Sequence, residues 1–132
     1  MKSKLESLFA DAVAAGYAKP TLRTEHFKFT KAPDGGRNPG AIYVTAGHTY
    51  AGKIINNQAF TVGTLTPAQL DEIYETMTSP QIAAVKFGHQ TGQCSICGRR
   101  LDNKLSIALG IGPICNEKFG WTLPADYYDD SL

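Results

Sequence analysis

The sequence predicts an α+β fold, and three observations carry that prediction. An amphipathic segment of helical period opens the chain. Short alternating segments separated by turn signals fill its middle. Two capped segments of helical period follow them. The size suits one such core. With 132 residues, area scaling gives roughly 6,800 Å² folded against roughly 20,700 Å² extended, so about two-thirds of the surface can be buried. Hydrophobic residues make up 42% and charged residues 19%, a balance that argues against a disordered chain. No apolar run approaches the length of a membrane span. The net charge of +1 names no partner by itself.

Residues 3–15 read as the first helix. Ser3 and Glu6 have capping-box spacing, Leu5, Leu8, Phe9, Ala12 and Val13 form one apolar stripe, and Gly16 is a stop. Glu6 and Asp11 interrupt the stretch, so it does not read as a secretory leader, and an intracellular, cytoplasmic setting is expected. Residues 21–31 read as one strand, with Leu22, Phe27 and Phe29 against Arg23, Lys28 and Lys31. PDGGRNPG, residues 33–40, is a loop. Strands follow at AIYVTAG, at YAGKII after a turn near Gly47 and His48, and at QAFTV after the Asn56-Asn57 turn. Thr66, Pro67 and Gln69 start a helix with the apolar face Leu70, Ile73, Tyr74 and Met77. Ser79-Pro80 starts another carrying Ile82, Ala83, Val85 and Phe87, with Gly88 ending it. This places an α+β unit over residues 1–87, a smaller module over 88–124 and an acidic tail over 125–132.

The module carries the chemistry. Cys94-Ser95-Ile96-Cys97-Gly98 has the form of a zinc knuckle, in which two residues between cysteines let both thiolates grip one tetrahedral ion and the glycine permits a tight turn. Cys115 follows Gly110-Ile111-Gly112-Pro113 at the start of an expected helix, where a treble-clef-like module places its third ligand. His89 is the chosen fourth ligand; Glu117, Asp102 or a water are alternatives, because Lys118 occupies the usual position. An odd number of closely spaced cysteines suits a structural zinc ion better than a disulfide framework. No βαβ pattern precedes the CxxC, which argues against a redox pair, and the segment lacks the deaminase HxE and PCxxC pattern. Gly110-Ile111-Gly112 lacks the Lys-Ser/Thr of a phosphate loop, His26 and His48 read as surface residues, and Asp126, Asp129 and Asp130 as a solvated tail.

The pattern Gly92-x-Cys94-x-x-Cys97-Gly98-Arg99-x-Leu101, then Ser106-Ile107, then Gly110-Ile111-Gly112-Pro113-x-Cys115 resembles a family of uncharacterised zinc-binding domains common in bacteriophage and prophage proteins. The resemblance implies a zinc-stabilised accessory domain with no established reaction, with Cys94, Cys97 and Cys115 as ligands and the host cytoplasm as its setting.

Two kinds of partner are expected. The first is nucleic acid. Lys86, Arg99, Arg100, Lys104 and Lys118 outnumber Asp102 and Glu117 near the knuckle, and paired arginines can clamp phosphates. Residues 19–37 hold a second excess in Lys19, Arg23, Lys28, Lys31 and Arg37. Phe27, Phe29, Tyr43 and Tyr50 offer stacking faces if they point away from the core. The second is a host protein, which a phage-type regulator or inhibitor would bind through Phe119 and Trp121; the preferred reading of Trp121 is the plainer one, that it packs over the zinc module and closes its small core. No triad, carboxylate pair or nucleotide loop points to an enzyme.

Overall fold

The computed structural model describes residues 3–17, 19–32, 35–37, 40–101 and 107. Cys115, Lys104, Lys118, Phe119, Trp121 and the acidic tail, all named above, lie outside the described residues.

Helix α1 spans Lys4–Ala14, with Ser3 as its N-cap and the predicted capping box formed in both directions. Its end is a Schellman turn. Gly16 takes φ +104°, the Gly16 amide donates to the Val13 carbonyl at 3.0 Å and the Tyr17 amide to the Ala12 carbonyl at 2.8 Å. Five strands follow: β1 Thr21–Arg23, β2 Lys28–Lys31, β3 Ile42–Ala46, β4 Thr49–Ile55 and β5 Gln58–Thr61. They form an antiparallel meander in the order β1-β2-β3-β4-β5. Asn56 and Asn57 both have positive φ, 50° and 66°, which is what a two-residue hairpin turn with the sheet's twist demands. Helices α2, Pro67–Thr78, and α3, Pro80–Thr91, follow the sheet. No helix among the described residues is long and apolar enough to cross a membrane.

The register divides the sheet into two faces. Leu22, Phe29, Val44 and Gly52 share one row, and Ile42, Ile54 and Ala59 share another. These rows face the core, where they cluster with Leu5, Phe9 and Ala12 of α1 and Ile73 and Met77 of α2. The protein is thus a layer of helices on one face of a sheet.

Four expectations need correction. The single strand over 21–31 is two strands joined by a turn, in which the Thr24 amide donates to the Phe27 carbonyl at 2.8 Å. Leu22 and Phe29 pair directly, so they lie on neighbouring strands. Gly88 does not end its helix. It is buried within α3, which continues to Thr91 and stops at Gly92 in the left-handed region. Tyr74 and Ile82 are not part of the apolar faces; they are 50% and 59% exposed, and α3 buries small residues, Ala83, Ala84 and Gly88, beside Phe87. Phe27 and Phe29 are core residues that meet edge-to-face at 6.3 Å, not stacking surfaces.

Candidate metal centre and basic face

The segment after α3 doubles back on itself. Gln93 and Arg100 form an antiparallel bridge. Inside it, the Cys94 amide donates to the Arg99 carbonyl and the Gly98 amide to the Cys94 carbonyl, both at 2.8 Å; the Leu101 amide donates to the Gly92 carbonyl at 2.8 Å. Gly98 has φ +76°, which an L side chain rarely adopts, so the residue after the second cysteine must be small and permissive. The loop is therefore a tight turn closed by backbone hydrogen bonds. Cys94 is buried and Cys97 is exposed; neither is in a disulfide.

The loop is held against the sheet by contacts that nothing in the sequence pattern marks. Ser95, buried between the cysteines, lies beside edge strand β1. Its hydroxyl accepts from the Arg23 amide at 2.9 Å and donates to the Arg23 carbonyl at 2.5 Å. The Ser95 carbonyl also accepts from the Arg23 amide at 2.8 Å. The Arg23 guanidinium then reaches over the loop, donating to the Ile96 carbonyl at 2.8 Å and the Ser95 carbonyl at 3.3 Å. A Cβ on Gly98 would lie 3.3 Å from that guanidinium carbon. Arg23, counted above among the basic residues of 19–37, is thus engaged in fastening the loop. The backbone groups of Arg23 on the outer edge of β1 are occupied in the process, which blunts that end of the edge as a template for strand pairing.

The donor chemistry fits a structural zinc ion: two thiols on a tight CxxCG turn whose backbone is pinned to a rigid sheet edge. Cys94 and Cys97 would hold the ion together with Cys115, which lies outside the described residues. His89 is exposed in the last turn of α3. Among the described residues, no three His, Cys, Asp or Glu side chains gather as a metal-holding set.

Of the basic residues near the knuckle, Arg99 and Arg100 are both exposed. Their backbones close the loop while no acidic residue occurs between 88 and 101. Lys86, on α3, reaches Glu75 of α2 at 3.0 Å and ties those helices together.

A second polar cluster, unread in the sequence, surrounds the β1–β2 turn. Glu72 of α2 accepts from the Thr24 hydroxyl at 2.5 Å and the His26 amide at 2.8 Å. It also meets His26 Nδ1 at 2.7 Å. The His26 pKa is raised, chiefly by that side-chain hydrogen bond, with the nearby charges of Glu72 and Glu25 adding to it against partial desolvation. The cluster borders a cleft of about 290 Å³ shared with Asp71, Glu75 and Lys86. Its geometry accounts for the turn: one carboxylate satisfies the donors of a segment that leaves the sheet.

These features define a small two-layer α+β protein with a cysteine loop fastened to its sheet edge. Residues 84–120 match a family of unknown function, DUF6011. The match begins within α3, at Ala84, and spans Cys94, Cys97 and Cys115. No curated protein and no solved structure matches the chain.

Proposed function

We propose that this chain is a zinc-stabilised accessory protein, of the kind carried by phages and prophages, that binds nucleic acid through the basic face beside its cysteine loop. The observation that carries this reading is the position of Arg99 and Arg100. Both are exposed directly after the Gly98 turn, on a loop anchored to β1, with no acidic residue from 88 to 101 and Asp102 the first acid beyond them in sequence. The anchored backbone limits how far the two side chains range, and Arg presents a planar fork suited to phosphate. Zinc, held by Cys94, Cys97 and Cys115, would cross-link the loop to the following segment and act structurally. The phage setting rests on the resemblance of the motif.

Two experiments test this. Cys97→Ser is expected to release most of the bound zinc and lower the melting temperature; unchanged metal content and melting would remove the zinc assignment. Fluorescence anisotropy of the zinc-loaded protein with labelled oligonucleotides should show binding that weakens with salt. In the Arg99→Ala, Arg100→Ala double variant the salt slope should fall by about 1.4 to 1.8, as expected for two lost phosphate contacts. An unchanged slope would exclude these arginines. Absence of binding at low salt would favour a protein partner instead.

A further inference from the structure

The face of the sheet turned away from the helices has a composition unlike that of a merely solvated surface. The pairing places Thr21, Thr30, Tyr43, Lys53 and Phe60 in one row across all five strands. A neighbouring row holds Arg23, Lys28, Thr45 and Tyr50. Tyr50 is 49% and Phe60 51% exposed, and Tyr43, on β3, is half-buried. The Tyr43 and Tyr50 rings meet edge-to-face at 6.4 Å, and the Lys53 ammonium lies 6.0 Å from the centre of the Phe60 ring. Three aromatic rings therefore share one open face with Lys28 and Lys53.

The charge is segregated by layer. None of the five strands contains Asp or Glu; Arg23, Lys28 and Lys53 lie on the open face, while Lys31, paired with Ile42, lies on the face toward the helices. The acids of the regular elements, Glu6, Asp11, Asp71, Glu72 and Glu75, sit on α1 and α2. An anionic partner is drawn to the sheet side and repelled from the helical side. Aromatic rings interleaved with cations suit a polyanion that also has flat apolar faces, which describes nucleobases on a phosphate backbone.

The shape of the face selects the form of that nucleic acid. Four inter-strand steps of about 4.8 Å make it about 19 Å across, against a major groove about 12 Å wide. The sheet cannot enter the groove, and the faces of paired bases are hidden within the duplex stack. Unpaired bases can lie flat on exposed rings. The row containing Arg23 runs from the cysteine loop to Tyr50, so the sheet face and the loop meet along one path.

We infer that the open sheet face is a stacking platform for single-stranded nucleic acid, with Tyr43, Tyr50 and Phe60 receiving bases and Lys28 and Lys53 flanking the backbone. This deepens the nucleic-acid reading above and rests on it. The sugar is left to the experiment, because stacking serves DNA and RNA alike.

The test uses the full zinc-loaded chain with labelled single-stranded DNA, single-stranded RNA and duplex DNA of equal length. The wild type should bind one of the single strands more tightly than the duplex, and the tighter single strand identifies the sugar. Tyr50→Ala should weaken that binding by about 5- to 150-fold, the range for losing one stacked base, and leave duplex binding unchanged. Tyr50→Phe should retain it. Both rings are half-exposed, so thermal melting should report folded variants. Equal single-strand affinity for Tyr50→Ala, Phe60→Ala and wild type would overturn the platform. So would a wild type that prefers duplex, or light scattering showing the face closed by a second copy of the chain. In those cases loss of binding in the Arg99→Ala, Arg100→Ala variant would still uphold the knuckle reading. Failure to bind any of the three nucleic acids would overturn both.

Discussion

Replacing Glu6 with alanine is expected to cost about 3 kcal/mol of folding stability, read by urea denaturation at neutral pH. Glu6 is 6% exposed and accepts four hydrogen bonds. The Ser3 amide and hydroxyl donate at 3.0 and 2.9 Å. The Asn56 and Asn57 amides of the β4–β5 turn donate at 2.9 and 2.8 Å. One carboxylate thus caps α1 and clasps a hairpin fifty residues away. Hydrogen bonds to a charged group contribute about 1.5–3 kcal/mol each, and a lost cap about 1 kcal/mol; shared geometry makes the sum less than additive. A loss below about 0.5 kcal/mol would mean the clasp contributes nothing beyond an ordinary surface residue.

The same residue predicts an acid dependence. Burial pushes the Glu6 carboxyl up, but the Ser3, Asn57 and Asn56 amides and the Ser3 hydroxyl together outweigh burial and hold its pKa below the usual carboxylate value. A carboxylate whose pKa is lowered on folding contributes stability that is full above its unfolded pKa, about 4.3. That contribution disappears as pH falls through the folded value. Wild type should therefore lose more stability than Glu6→Ala between pH 6 and roughly pH 3, and the two denaturation curves should converge at the acid end. Parallel curves would contradict the assignment.

Gly52→Ala is expected to be comparably damaging, by about 3 kcal/mol, at the upper end for overpacking. A Cβ at Gly52 would stand 2.6 Å from the Phe60 carbonyl oxygen and 3.0 Å from the Thr61 Cα. Both atoms belong to backbone, so no side chain can rotate away, and β4 and β5 would have to separate. The cause is local. The β3–β4 register shifts between Val44 and Thr45, and a bulge sharpens strand twist. Exchange of the Val62 amide, which donates to the Ala51 carbonyl at 3.0 Å, should accelerate in the variant. Stability within about 0.5 kcal/mol of wild type would show that the hairpin can open cheaply.

Both sites bear on what could be read from residues alone. The capping box of Ser3 and Glu6 was legible because it joins residues three apart; that the same carboxylate also receives Asn56 and Asn57 was not. The Asn56-Asn57 turn announced itself through residue type. The division of residues 21–31 was half visible: Leu22 and Phe29 are an odd number of positions apart and cannot share a face of one continuous strand, yet both are core. Their phase marks a turn, but the groups that stabilise it, Thr24 and His26 against Glu72, meet only when α2 docks. Gly88 misled for a similar reason. In isolation it disfavours helix by about 1 kcal/mol, and here burial in a close-packed stripe overrides that cost.

The candidate site divides along the same line. The CxxCG spacing and its left-handed glycine are properties of neighbouring residues, and the sequence was sufficient for them. So were the α+β class, the capped starts of α1 and α2 and the hairpin order of β3, β4 and β5, because period, cap and turn act over a few positions. The clamp of Arg23 on Ser95 and Ile96, the burial of Phe27 and Phe29, and the exposure of Tyr50 and Phe60 depend on which side of the sheet the helices cover. That choice belongs to tertiary structure, because strand periodicity separates two faces without naming the buried one, and only packing against α1 and α2 decides between them.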